Sequence, residues 1–225
     1  MDKKNANKST ADGEYNNDEV LVKDNKLSNI EISLTIKCEP EVLRVTMYSA
    51  LCHELTHAYE DLQRYLSYGG HIGDNLTTYA TNVDIIEDEN TLNEVKNIAY
   101  VMYICSKVEL NALIAQSIAE LKQGGKYLDY EKGIDAIIHP LKAWDYLRNA
   151  DVTARRICSI RNKEIQQKIL LQTNRAVTGK VFATYNDLCR FIKRLVDNSL
   201  DYYIRKVISA ARIIYLQSGR YNSIF

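Results

Sequence analysis

The stretch YSALCHELTHAYEDLQ, Tyr48 to Gln63, sets two of the chain's four histidines four residues apart, with a glutamate directly after the first. Residues four apart share a face when the backbone is helical, so the first question is whether a helix runs through them. Leu43, Met47, Ala50, Leu51, Leu55, Ala58 and Leu62 recur at helical spacing. Pro40 suits a first turn, where its missing N–H has no partner to lose, and Gly69-Gly70 supplies a stop. The pattern predicts one helix from Glu41 to the glycine pair, with His53-Glu54-Leu55-Thr56-His57 at its middle.

Ahead of that helix, Ile30, Ile32, Leu34 and Ile36 alternate with Glu31, Ser33, Thr35 and Lys37, the period of a half-buried strand. Val20 to Val22 is its expected hairpin partner across Asp24-Asn25-Lys26. Residues 1–17 are polar and nearly free of large aliphatics, which predicts a disordered tail. Behind the helix, residues 71–90 read as a loop. Helical periodicity resumes at Thr91 and runs to Lys122, where Gly124-Gly125 ends it. Further helices are expected over 131–148, with a break at Pro140, then over 151–173 and 185–217. On the last, Leu188, Phe191, Ile192, Leu195, Leu200, Ile204, Ile208 and Ile213 form the apolar side.

The fold class is therefore mainly α, of α+β type, with a small N-terminal hairpin. Three segments are expected: the tail 1–17, a core 18–125, and a helical extension 126–225 packed on it. The 225 residues are 46% hydrophobic and 26% charged, with two prolines and nine glycines, enough apolar material for a core built of long helices. Charge is divided unevenly. Residues 1–125 hold 11 Lys+Arg against 20 Asp+Glu, a net −9, and residues 126–225 hold 18 against 9, a net +9. The five cysteines form no C-x-x-C pair, which predicts free thiols in a reducing compartment. No apolar run follows Lys3-Lys4, and the longest such stretch, Ile98 to Cys105, is too short to span a bilayer. A cytoplasmic, membrane-free protein is expected.

Histidines at i and i+4 on a helix can reach one metal ion, and a glutamate at i+1 projects beside them, placed to hold and deprotonate a water rather than ligate. Zinc lowers the pKa of such a water to about 7. A third ligand must come from another helix, since Glu60 and Asp61 point elsewhere on this one. The best offer is SKVELNALIAQ, Ser106 to Gln116, where Glu109 falls in an apolar segment and Ala112 and Ala115 permit close approach. The competing local reading is a capping box, in which Ser106 and Glu109 satisfy backbone N–H groups. Glu94 and Glu120 are alternative ligands. Cys52, at i−1 from the first histidine, reads as a small hydrophobe.

With these residues in place, the chain resembles the gluzincin branch of the zincin metallopeptidases over roughly residues 28–123. HELTHAYED followed by an E-x-N-A helix is also similar to small peptidase-like proteins of bacteria and their phages. The resemblance implies a zincin-like core holding one Zn2+ per chain through His53, His57 and Glu109, with Glu54 as general base. It departs from the family at Leu113, where many members carry an aspartate that supports a ligand histidine. Asn111 or Asp84 would have to take that place. Oxyanion donors are open among His139, Tyr103, His71 and Tyr79, and strand 30–36 is a candidate edge for an extended substrate.

The expected function is a zinc metallopeptidase acting on peptides or proteins. The alternative is a non-enzymatic helical interaction protein, or a virion-associated protein of phage origin, with a structural or inactive zincin-like core. The basic segments ARRICSIRNKEIQQK and RFIKRL are the surface a nucleic acid would use. Their dispersed cations and the lack of a nucleic-acid motif favour plain solvated helix faces instead.

Overall fold

The computed structural model describes residues 10–16, 21–23, 26–28, 31–37, 40–68, 88–177 and 180–219. The strands are β1 (Thr10–Asn16), β2 (Leu21–Lys23), β3 (Lys26–Ser28) and β4 (Glu31–Lys37). The helices are α1 (Pro40–Tyr68), α2 (Asn93–Ile104), α3 (Lys107–Gly124), α4 (Ile134–Ile138), α5 (Lys142–Cys158), α6 (Lys163–Ala176) and α7 (Tyr185–Gln217), with a 3-10 helix at Lys126–Lys132. The chain is mainly helical, with a small antiparallel β component at its N-terminal end.

Strand β4 shows the expected alternation: Ile32, Leu34 and Ile36 are half-buried, while Glu31, Ser33, Thr35 and Lys37 are exposed. Its partner is not the predicted one. β2 pairs with β3, whereas β4 pairs with β1, setting Gly13 opposite Leu34 and Tyr15 opposite Ile32. Residues 10–16 are thus a strand and not part of a disordered tail. TADGEYN has little strand propensity of its own. The unpaired edge of β4 supplies the hydrogen bonds and α1 the packing surface, and neither acts locally in sequence.

The chain divides into two compact units, one from Met1–Asp74, Asn111–Leu141 and Lys206–Phe225, the other from Asn75–Leu110 and Lys142–Arg205. Helices α3 and α7 each contribute to both. In the first unit α1 packs on β1 and β4. The buried face of α1 carries Thr46, Ser49, Ala50, Glu54, Ala58 and Asp61, all small or polar. Leu43, Met47 and Leu55, expected on the core stripe, are about half exposed among the described residues (46%, 47% and 46%). The face turned to the strands is therefore rotated from the apolar stripe, and its small residues admit a strand at close range.

In the second unit α2 buries Val95, Ile98, Val101, Met102 and Ile104 and packs on α5 and α6. The single helix predicted from Thr91 to Lys122 breaks at Cys105-Ser106, where the Ser106 N–H turns back to the Tyr103 carbonyl (2.9 Å). The break predicted near residue 150 is absent. α5 continues to Cys158, and Asn162 opens α6 by accepting the N–H groups of Glu164 (3.0 Å) and Ile165 (3.2 Å). On α7 the buried face is Leu188, Ile192, Val196, Ser199 and Tyr203, continued by Val207, Ala211 and Tyr215, while Ile213 is exposed. No single helix among the described residues is long and apolar enough to cross a membrane.

Candidate metal centre

One helical turn separates His53 from His57, and their rings stand edge to face with centroids 4.9 Å apart. The two Nε2 atoms converge to 3.2 Å. Two nitrogens bound at about 2.0–2.1 Å to one tetrahedral zinc ion lie roughly 3.3 Å apart, so the spacing suits a shared ion. Glu109, 4% exposed, rides on the first turn of α3. One ligand atom from each of His53, His57 and Glu109 falls within 4.8 Å of the others, a group able to hold a metal ion.

The two readings of Glu109 turn out to be compatible. Ser106 Oγ accepts the Glu109 N–H at 3.2 Å, the serine half of a capping box. The reciprocal half is replaced, because the Ser106 N–H goes to Tyr103. Residue 109 is thus capped through its backbone, which leaves its carboxylate available as a ligand. Glu120, an alternative ligand, accepts from Lys126 Nζ (3.2 Å) and Gln116 Nε2 (3.4 Å). Glu94 is half-buried on α2, and it adds the smallest share, after burial, Cys189 and Cys158, to the raised phenol pKa of Tyr185.

Glu54 is 5% exposed on the side of α1 that meets β1. Gly13 explains how it fits. A β-carbon at that position would lie 2.4 Å from Glu54 Oε1 and 2.8 Å from its Cγ, so the carboxylate occupies the space a side chain would need. Two residues along the same strand, Tyr15 comes close to Asp61, two turns beyond Glu54. Burial first, and then the Asp61 charge, push the Tyr15 phenol up to about 12. Cys52, half-buried beside Tyr48, has its thiol pKa raised by burial, as a small hydrophobe's would be.

Asn111, expected to support a histidine, has another partner. Its Nδ2 donates to Glu60 Oε1 at 2.7 Å, tying α3 to α1 two residues beyond Glu109 and three beyond His57. Asp84, His71 and Tyr79 lie outside the described residues. His139 stands in an exposed turn after α4, its ring 58% exposed and 3.7 Å from Asp135. Tyr103 is 49% exposed on α2. The α2 tyrosine close to Glu109 is Tyr100, whose phenol pKa is raised by burial first and then by Tyr146 and Glu109. Sequence reading passed over Tyr100 and Gly13. The first depends on the break at Cys105-Ser106, and the second on a strand pairing that no local pattern announces.

Along the basic C-terminal half, Arg148, Arg155, Lys168, Arg190 and Arg205 each pair with an acid three or four residues earlier on the same helix. Set against protein-family models, curated proteins and solved structures, the chain matches none. The chemistry of the site rests on its own residues.

Proposed function

We propose that the protein is a zinc-dependent hydrolase of peptidase type, acting on peptides or proteins. The observation that carries the reading is the meeting of His53, His57 and Glu109 ligand atoms within 4.8 Å, with buried Glu54 on the next position of the same helix. The three side chains would hold one Zn2+, which supplies Lewis-acid polarisation and a water acidic enough to ionise near neutral pH. Glu54 would serve as the general base that takes a proton from water and returns it to the leaving nitrogen, a role for a carboxylate held in place and shielded from bulk water. β1 and Gly13 hold it there. The Asn111–Glu60 bond keeps the helix bearing Glu109 in register with the helix bearing the histidines.

The intrahelical acid partners of the C-terminal arginines and lysines support solvated helix faces over a nucleic-acid surface. One observation favours the non-enzymatic alternative: Leu43, Met47, Leu55, Tyr59 and Leu66 leave an apolar side of α1 exposed among the described residues, a surface suited to a protein partner.

The test is hydrolysis of internally quenched fluorogenic peptides of mixed sequence by the zinc-loaded protein beside Glu54→Gln. The peptidase reading expects turnover in the wild type and a fall of about 10²–10⁴-fold in Glu54→Gln, with zinc retained in both. Bound zinc without turnover in either would favour the interaction reading.

A further inference from the structure

Away from the metal centre, the second unit brings two cysteines together. Cys158 is the last residue of α5, and Cys189 lies one turn into α7, 31 residues later. The Cys158 thiol donates to the Cys189 carbonyl oxygen at 3.8 Å, which brings its sulfur against the residue that carries the second thiol. Both residues are free and half-buried, neither sealed in the core as Cys105 is.

The surroundings hold the pair in place. Tyr185 Oη donates to the Ile157 carbonyl at 2.5 Å, fastening the first turn of α7 to the last turn of α5 beside Cys158. Thr184 and Asp187 cap α7 reciprocally, with Thr184 Oγ1 accepting the Asp187 N–H (3.1 Å) and the Asp187 carboxylate accepting the Thr184 N–H (3.1 Å). Cys189 is thus carried on a fixed helix start. Lys193, one turn beyond, adds a positive charge that favours the thiolate of either sulfur. The Cys189 S–H stabilises a thiolate at Cys158 and brings its pKa down to about 7, while the same contact pushes the Cys189 pKa up. A pair in which one thiol ionises at the expense of the other can divide the roles of attacking and resolving thiol.

We propose that Cys158 and Cys189 are a reversible redox pair that closes to an intramolecular disulfide when the protein meets a low-molecular-weight disulfide. With glutathione disulfide as oxidant, the Cys158 thiolate attacks one sulfur, forming a mixed disulfide and releasing one glutathione thiolate. Cys189 then gives up its proton to solvent and attacks the Cys158 sulfur, expelling the second glutathione. The protein loses two electrons and two protons, and one glutathione disulfide becomes two glutathiones. The new bond closes a loop containing all of α6, which restricts the unfolded chain and raises the melting temperature.

The experiment incubates the full chain with glutathione disulfide and reads intact mass, disulfide-linked peptides and thermal melting. The proposal expects a mass lower by two hydrogens, a Cys158–Cys189 linked peptide, and a melting midpoint higher by roughly 5 °C, all reversed by dithiothreitol. Cys189→Ser should stop at glutathione attached to Cys158, and Cys158→Ser should take up far less glutathione. A wild type that accumulates the Cys158–glutathione adduct without closing, or that links a different pair of cysteines, would overturn it. So would a wild type whose Cys158 and Cys189 remain fully alkylatable after the treatment.

Discussion

Gly13 and Glu54 share one space: the position of a β-carbon on residue 13 lies 2.4 Å from Glu54 Oε1 and 2.9 Å from Cδ. The strand can pass the buried carboxylate only because residue 13 has no side chain. A methyl group there would displace the end of a flexible side chain rather than backbone, so the fold should tolerate it and the glutamate should move. Gly13→Ala is therefore expected to retain zinc and most of its thermal stability while losing about 10²-fold or more in peptide turnover, the usual effect of an ångström-scale misplacement. Turnover equal to wild type would remove Glu54 from the role of base, or β1 from the role of its support.

The Asn111–Glu60 bond makes a separate prediction. Cutting it leaves a half-buried carboxylate without its amide donor, so Asn111→Ala should lower stability by about 1–2 kcal/mol. It should also weaken zinc binding by roughly tenfold, since supporting contacts of ligand-bearing elements typically matter that much. A double-mutant cycle with Glu60→Ala measures the link directly. If the two substitutions simply add, within about 0.3 kcal/mol, the bond does not couple the helices.

Tyr15 gives a pH dependence with a definite sign. Its phenol pKa is raised in the folded state from 10.0 to about 12, chiefly by burial and then by Asp61. The folded protein therefore binds this proton more tightly than the unfolded chain does. The stability it contributes is complete below pH 10 and is lost as pH rises towards 12. Tyr15→Phe should flatten the alkaline fall in melting temperature over that interval. An unchanged profile would mean that Tyr15 is not held against α1.

How much of this could be read from sequence varies with the range of the forces involved. The helix from Pro40 to Tyr68 was legible because its start, its stop and its histidine spacing are local. The mainly α class followed from the same kind of pattern. The pairing of His53 with His57 needed nothing beyond helical geometry, and Glu109 was found as an acid inside an apolar segment. Strand β1 was not legible, because TADGEYN is a strand only against the edge of β4 and the small-residue face of α1. The break at Cys105-Ser106 was hidden by the continuous apolar run around it. It turns on the Ser106 hydroxyl and N–H finding separate partners, and the approach of Tyr100 to Glu109 follows from it. Asn111 stood out as a polar residue expected to support a ligand histidine, and only the structure shows that its partner is Glu60.

The central claim is that His53, His57 and Glu109 form one metal site, and zinc content by elemental analysis tests it most directly. Wild type, His57→Ala and Glu109→Ala would be measured side by side after identical zinc loading and desalting, with melting curves to establish folding. About one zinc per chain is expected in the wild type and little in either folded variant. Zinc retained at the wild-type level in folded Glu109→Ala, or no zinc in the loaded wild type, would contradict it.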